Sequence, residues 1–422
     1  MKVAILGLGY VGFTSACCIA SQGHQVIGID VSVRKVREIM AGTPPIVEPQ
    51  LEDILRAAIA AGRITADTVI GTHLDDCDLA IVCVGTPSAT DGSHNMGFIA
   101  DVTHQIATAI RAGRKTPLVV AYRSTFRPGT IEELVLPIFE ATLGPETERL
   151  VEIVYNPEFL RESTAVLDYF SPPKIVIGTK DRQPNAVMDR LNAGIEAPTF
   201  VVHYREAELT KFVDNSWHAV KVSFANEIGR VCLALGISAR QVHEIFVSDT
   251  KLNISPNYLR PGGPFGGSCL PKDVRALQHL AADSGVSLPM IYSLLRSNDA
   301  HKHRLFEFAV AGLAPGSSIL LVGLSFKAGT DDLRDSPNVD LARKLLAGGY
   351  RLEIFDPGVD ATKLIGANLG YAYSKLPDLE RLLVDQVRAE TTAYDRVIAT
   401  NATIKALTLP ETAEVRNIGA LA

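Results

Sequence analysis

The chain has 422 residues, 47% of them hydrophobic and 21% charged, with a formal net charge of −6. That length makes two or three domains, each large enough for its own core, and that composition excludes a disordered chain. The negative balance leaves no global basic field for nucleic acid or an anionic membrane, and no apolar run approaches the ~18 residues a membrane span needs.

The first residues, MKVAILGLGYVG, open directly on a strand pattern and show no cleavable signal, so a cytoplasmic enzyme is expected. Residues 2–6 (KVAIL) predict a strand, 11–22 a helix and 24–30 (HQVIGID) a second strand. Such a βαβ unit implies a parallel sheet. Strand patterns recur at 79–84, 117–122, 151–155 and 174–178 with helical patterns between them, so residues 1–203 are expected to form one doubly wound α/β domain. From 205 to 236 there is no Pro, and Gly stands only at 229 and 236. A helix of that length spans roughly 48 Å, enough to join domains. Helical patterns at 238–247 and 272–283 flank the loop-rich stretch 249–271, so 204–300 reads as a helical connector.

The last third repeats the first in outline. A strand pattern at 318–326, a helical one at 337–349 and strand patterns at 350–356 and 395–401 make a second Rossmann-like domain, 301–422, without G-x-G-x-x-G. The expected fold class is therefore α/β: two doubly wound parallel-sheet domains joined by a long central helix, with ligand clefts at the carboxyl ends of strands.

Gly7, Gly9 and Gly12 form G-x-G-x-x-G between the first strand and helix. Glycines there permit a tight turn, close approach of a pyrophosphate and close helix–strand packing, while the helix N-terminus favours the phosphates. Asp30 ends the second strand, 18 residues after Gly12, where a carboxylate accepts hydrogen bonds from ribose hydroxyls and repels a 2′-phosphate. NAD is thus expected over NADP. Lys35, one turn further, either neutralises the cofactor or is merely solvated.

Six cysteines make no disulfide framework and no C-x-x-C pair. Cys17, Cys18, Cys77, Cys83 and Cys232 fall in strand or helix patterns and are expected to be inert. Cys269 stands in GGPFGGSCLPKD (262–273), a glycine-rich turn before a helix start, with Lys272 nearby to favour a thiolate. Spacing alone leaves it open between a nucleophile and a turn cysteine. On the long helix Lys211, Asn215, His218, Val222 and Asn226 lie within an arc of roughly 80°. That column suits donation of hydrogen bonds into a cleft better than it suits a solvated face. Val213, Trp217, Val220, Phe224 and Val231 take the opposite side. In NPEFLRES (156–163), Glu158 and Glu162 are four apart and are expected on one face of a short helix. GLSFKAGTDDLRDSP (323–337) carries Lys327 and Arg334 in a loop suited to an anionic group.

Together these segments resemble the UDP-glucose/GDP-mannose 6-dehydrogenase family over nearly the whole chain. The resemblance rests on GLGYVG, IVEPQLE (46–52), CVGTP (83–87), RSTFRPGT (123–130), NPEFLRESTA (156–165), FGGSCLPKD (265–273) and GLSFKAGTDDLR. NSWHAVKVSFANEIG (215–229), KLNIS (251–255) and the Ser of RESTA resemble members that act on GDP-mannose. The chain departs from those members at Asn257–Tyr258, at Gly263–Pro264 and beyond 385.

The resemblance implies oxidation of the C6 alcohol of GDP-mannose to GDP-mannuronate with two NAD⁺, feeding alginate-type polysaccharide synthesis. UDP-glucose or another UDP-sugar is the alternative substrate, and a nucleotide-sugar-binding protein without catalysis the alternative class. By the same resemblance Cys269 is the nucleophile, Lys211 and Asn215 stabilise the alkoxide or oxyanion, and Glu158, with Asp273 nearby, activates water. NAD would touch Tyr10, Val11, Asp30, Lys35, Thr86, Thr125, Lys272 and Arg334. The nucleotide sugar would touch Glu162, Lys211, Asn215, His218, Asn226, Tyr258, Arg260, Cys269 and Lys327. No metal is implied. A homodimer is implied, in which the segment around 253–260 reaches the partner subunit's site.

Overall fold

Short runs of Val, Ile, Leu and Ala build the sheet of the first of two units, Met1–His218. The computed structural model describes residues 1–87, 95–161, 163–255, 259, 262–267 and 270–419. The strands are β1 (Lys2–Leu6), β2 (Gln25–Ile29), β3 (Ile64–Asp67), β4 (Leu79–Val82), β5 (Leu118–Tyr122), β6 (Val151–Tyr155), β7 (Ile175–Thr179) and β8 (Thr199–His203). They order as β3-β2-β1-β4-β5-β6-β7-β8. Helices cover both faces, so central strands such as β4 and β5 are buried along their whole length and read as continuous apolar runs.

Alternation along β1 divides the core in two. Val3 and Ile5 pack with Phe13, Cys17 and Ile19 of the helix Tyr10–Ser21, while Ala4 and Leu6 pack with Ile99, Val102 and Ile106 of the helix Gly97–Ala109. Chain order reverses between β1 and β4, and a doubly wound sheet opens its ligand crevice there.

The expected parallel sheet holds through β6. β7 then pairs with β6 antiparallel, through Tyr155 and Gly178, and β8 follows β7 in parallel. Among the described residues of 156–174 the one helix is the six-residue Ala165–Phe170, and the Asn156 side-chain amide donates to the Val176 carbonyl at 2.8 Å. The chain turns back there rather than making a crossover. A Cβ on Gly178 would lie 2.7 Å from the Ala207 Cβ, so glycine lets the long helix Tyr204–Ala234 settle on β7. Glu208 of that helix is fully buried and accepts the amides of Gly129 and Ile131, fixing the helix to the RSTFRPGT turn. Burial pushes the Glu208 carboxyl above its ordinary value, against the pull of those two amides.

The second unit, Ala219–Ala422, carries a parallel sheet of β9 (Ser318–Val322), β10 (Arg351–Phe355), β11 (Arg396–Ala399) and β12 (Val415–Asn417), ordered β10-β9-β11-β12. The internal repeat is present in detail. The Gly7 amide donates to the Ile29 carbonyl at 2.8 Å, and that of Gly323 to the Phe355 carbonyl at 2.9 Å. Leu8 and Leu324 each donate to the following Asp, Asp30 and Asp356, at 2.8 Å. In the second copy, however, the amide and hydroxyl of Ser325 also bind Asp356, and its turn is closed on itself. The expected helices at 238–247, 272–283 and 337–349 are Ala239–Ser248, Leu270–Asp283 and Pro337–Ala347; Pro289–Val310 adds one the periodicity did not predict. Among the described residues no helix is long and apolar enough to cross a membrane.

Candidate active site

Each glycine of the first turn meets a different constraint. Gly7 has φ +92°, and a Cβ there would sit 3.0 Å from the Cys83 and Val84 backbone. A Cβ on Gly12 would run into the Gly7 carbonyl oxygen and lie 3.0 Å from the Cys83 Cβ. At Gly9, the residue before the helix Tyr10–Ser21, a Cβ would meet nothing within 4 Å. Gly7 and Gly12 therefore close the turn, and Gly9 leaves its outer side open. That open side faces a cleft of about 480 Å³ lined by Gly7, Gly9, Asp30, Val31, Lys35, Thr68, Val84 and Phe98, among others. A backbone turn at a helix N-terminus beside a cleft of that size fits a dinucleotide pyrophosphate.

Asp30 sits at the carboxyl end of β2 on this cleft. Its Oδ1 accepts the Ser32 amide at 2.9 Å, and its Oδ2 accepts the Leu8 amide at 2.8 Å and Lys35 Nζ at 3.0 Å. Burial works to raise its pKa, but the Ser32 and Leu8 amides and the Lys35 ammonium together hold it below its ordinary value. An ionised carboxylate at such a strand end can accept ribose hydroxyls and would repel a 2′-phosphate. Lys35 is thereby placed: it is Asp30's partner on the rim rather than a solvated lysine.

Tyr10 donates its hydroxyl to Glu48 and to the Arg161 carbonyl, the latter at 3.3 Å. Val11 is half-buried beside it. Thr86 and Thr125, on the turns after β4 and β5, are joined by the Thr86 hydroxyl donating to the Thr125 carbonyl at 2.8 Å.

Among the described residues of NPEFLRES the expected helix is absent; residues 156–161 are irregular. The amides that would make helical bonds are taken by carboxylates instead. Leu160 N–H goes to Glu158 at 2.6 Å, Arg161 N–H to Asp168 at 2.9 Å, and Ser163 and Ala165 N–H to Glu48, each at 2.9 Å. Pro157 also disfavours helical backbone at Asn156. Glu158 is thus not set on a helical face. Its Oε1 lies 3.0 Å from Lys211 Nζ, which also donates to the Glu158 carbonyl at 2.7 Å, and both side chains are about 14% exposed or less. The Phe159 ring meets two ammonium groups, Lys174 at 4.7 Å and Lys211 at 5.5 Å from its centroid, and Lys174 in turn holds Asp214 at 2.7 Å.

Three buried groups that hold these residues escaped the sequence reading. Glu48 was visible only as part of IVEPQLE. Arg123, 9% exposed, donates to the side-chain Oδ1 of Asn156 at 2.9 and 3.1 Å and to the Ser15 hydroxyl at 3.0 Å, tying the end of β5 to the end of β6 and to the first helix. Asp168 binds the Arg161 guanidinium, which holds its carboxyl below the usual range despite burial.

Asn215 and His218 are exposed on the long helix, as is Asn226 on the portion in the second unit. Lys272 and Asp273 are exposed neighbours, 3.4 Å apart. Lys327 is exposed, and its carbonyl accepts the hydroxyls of Ser325 and Thr330. Arg334 makes a bidentate pair with Asp332 at 2.9 Å. Glu162, Tyr258, Arg260 and Cys269 lie outside the described residues. Cys17, Cys18 and Cys77 are buried, and burial pushes the thiols of Cys18 and Cys83 up to about 12.

Residues 1–196, 205–300 and 320–407 match the NAD binding, central and UDP binding domains of the UDP-glucose/GDP-mannose dehydrogenase family. The chain is 42% identical over 401 residues to a GDP-mannose 6-dehydrogenase of Pseudomonas aeruginosa, covering 95% of this chain and 91% of that protein. It is 33% identical over 359 residues to a UDP-glucose 6-dehydrogenase of Bacillus subtilis, covering 85% and 80%. Its structure matches a ternary complex of GDP-mannose dehydrogenase from Pseudomonas aeruginosa with a TM-score of 0.87 and 38% identity, over 99% of this chain and all of the other. The glycine turn, the cleft and Asp30 all lie within the residues that match the NAD binding domain. The chain belongs to the UDP-glucose/GDP-mannose dehydrogenase family.

Proposed function

We propose that this chain oxidises the C6 alcohol of GDP-mannose to the carboxylate of GDP-mannuronate in four electrons, in the cytoplasm, with the product feeding an alginate-type polymer. The observation that carries the reading is the Lys211–Glu158 pair, an ammonium and a carboxylate held 3.0 Å apart and largely out of water. The net reaction converts RCH₂OH, two NAD⁺ and water into RCOO⁻, two NADH and three protons. Bound NAD⁺ supplies the acceptor for the hydride that leaves C6 in each oxidation.

The chain's own groups do the rest. Lys211 and Asn215 stabilise the alkoxide as the first hydride leaves and the aldehyde forms. The Cys269 sulfur then bonds to C6, and the carbonyl oxygen takes up a proton, giving a thiohemiacetal. Loss of that proton and of the second hydride leaves a thioester. Glu158, with Asp273, draws a proton from water as its oxygen attacks; the C–S bond breaks and the thiol is restored. Tyr10, Val11, Asp30, Lys35, Thr86, Thr125, Lys272 and Arg334 are assigned to NAD. Glu162, His218, Asn226, Tyr258, Arg260 and Lys327 are assigned to the nucleotide sugar.

The parts would be 1–203, 204–300 and 301–422. We also propose a homodimer formed through the middle part, since Val222, Leu233, Ile245 and Ile254 are 50–83% exposed there. Light scattering reads the mass directly.

The deciding experiment compares turnover with GDP-mannose and UDP-glucose, counts NADH per sugar, and repeats the count with Cys269→Ala. Two NADH per GDP-mannose, and no acid from the variant, are expected. Faster turnover of UDP-glucose would replace the substrate, and acid formed by the variant at the wild-type rate would remove the nucleophile.

A further inference from the structure

The turn that leads into Cys269 is gripped from both sides. Asn298 is 7% exposed on the helix Pro289–Val310, and its side chain binds both backbone groups of one residue, Phe265. Its Oδ1 accepts the Phe265 N–H at 3.0 Å, and its Nδ2 donates to the Phe265 carbonyl at 2.8 Å. One turn along the same helix, His301 Nε2 lies 2.7 Å from the Gly262 carbonyl. On the other side, a Cβ on Gly266 would lie 2.5 Å from the Asp335 carbonyl and from Pro337. Gly267 has φ +82°, a Cβ there would lie 3.0 Å from the Phe326 ring, and its N–H donates to the Asp335 carbonyl at 3.3 Å. The helix that carries Asn298 is itself anchored, because Glu227 accepts the Met290 and Ile291 amides at its start, at 2.8 and 3.0 Å.

We propose that Asn298 is a positioning residue for the thiol chemistry: it fixes the Phe265 peptide, four residues before Cys269, and so sets where the sulfur meets the aldehyde. Buried asparagine in mid-helix is a poor helix former and a costly burial unless its amide is fully used. Here the amide oxygen and one amide N–H are both spent on a loop rather than on its own helix.

The inference rests on the thiol reading of the proposed function, and that reading divides the reaction into stages that respond differently. Removal of the first hydride needs no sulfur. Capture and oxidation of the aldehyde do. A group that only supports the fold would slow both stages together; one that positions the turn slows the second.

The test uses full-length Asn298→Leu and Asn298→Asp, the latter keeping the acceptor for the Phe265 N–H and losing the donor. Single-turnover formation of the first NADH, oxidation of supplied nucleotide-sugar 6-aldehyde, and aldehyde trapped by hydroxylamine are measured. For Asn298→Leu the first stage is expected to stay within about threefold of wild type while aldehyde oxidation falls about tenfold or more. NADH per sugar should drop from two towards one when the trap is present, and Asn298→Asp should fall between. If the leucine variant does not fold, the aspartate variant is judged on the same split. Wild type giving two NADH while the variant slows both stages alike, or neither, overturns this inference alone. Wild type stopping at one NADH overturns the thiol reading and the inference together.

Discussion

Gly9→Ala and Gly12→Ala add the same methyl group to the same turn, and the structure assigns them opposite consequences. At Gly12 the new carbon would collide with the Gly7 carbonyl oxygen and press on the Cys83 Cβ at 3.0 Å. A backbone oxygen in a packed turn cannot swing aside, so overpacking should cost about 3 kcal/mol or more. At Gly9 the backbone is extended, with φ −77° and ψ −164°, and the Cβ position is open. Alanine fits that backbone without strain, and its smaller unfolded-state entropy should stabilise the cofactor-free protein by up to ~1 kcal/mol. The methyl would occupy the side of the turn where a pyrophosphate approaches. Loss of that close approach should weaken NAD⁺ about 10- to 100-fold, or about 1.4–2.8 kcal/mol. Urea unfolding without cofactor gives the first pair of numbers, and calorimetric titration with NAD⁺ gives the second. Equal destabilisation by the two substitutions, or a Gly9→Ala protein that binds NAD⁺ as tightly as wild type, would refute the division of labour within the turn.

Lys211→Met keeps the length of the side chain but removes the ammonium from Glu158, and kcat should fall about 100- to 1000-fold with a much smaller change in KM; Lys211→Arg should not restore it, because a planar fork cannot reach both the Glu158 carboxylate and its carbonyl in place of a point charge. Asp30 has a folded pKa below its ordinary ~3.9, so its ionisation contributes stability that is present above that value and lost as pH falls through the folded pKa. Asp30→Asn should therefore lie furthest below wild type in urea midpoint near pH ~6–7 and converge with it towards pH ~3, and a gap that does not vary with pH counts against the hydrogen-bonding account. The same variant should narrow the preference for NAD over NADP, read as a ratio of kcat/KM values.

What the sequence disclosed and what it hid divide along physical lines. The glycine turn was legible because its constraints are local: three glycines, a strand before, a helix after, and an acid at the end of the next strand. The internal repeat was legible for the same reason, down to Asp356 standing where Asp30 stands. The direction of β7 was not, because a period-2 pattern carries no sign, and the reversal depends on how residues 156–174 turn back. The NPEFLRES segment was misread because the i, i+4 spacing of Glu158 and Glu162 is only an opportunity for a helix. The competing acceptors for its amides include Glu48, 115 residues away from Ser163, and no window along the chain contains both.

The same asymmetry separates the residues proposed to touch ligands from the residues that hold segments in place. Lys211, Asn215 and His218 stand out because polar side chains of those types interrupt the pattern of a helix, and a cleft is the simplest reason for them. Glu48, Arg123, Glu208 and Asn298 are as polar and more deeply buried, yet what most of them bind is backbone, which every sequence supplies everywhere. A buried carboxylate or amide spent on peptide groups leaves no complementary residue to find, so its presence in a sequence looks like ordinary surface. Burial is the discriminating quantity, and only the folded chain has it. It follows that substitutions at the holding residues should show themselves less in binding constants than in the coordination of successive chemical steps, since each sets the position of a segment rather than a contact with the ligand.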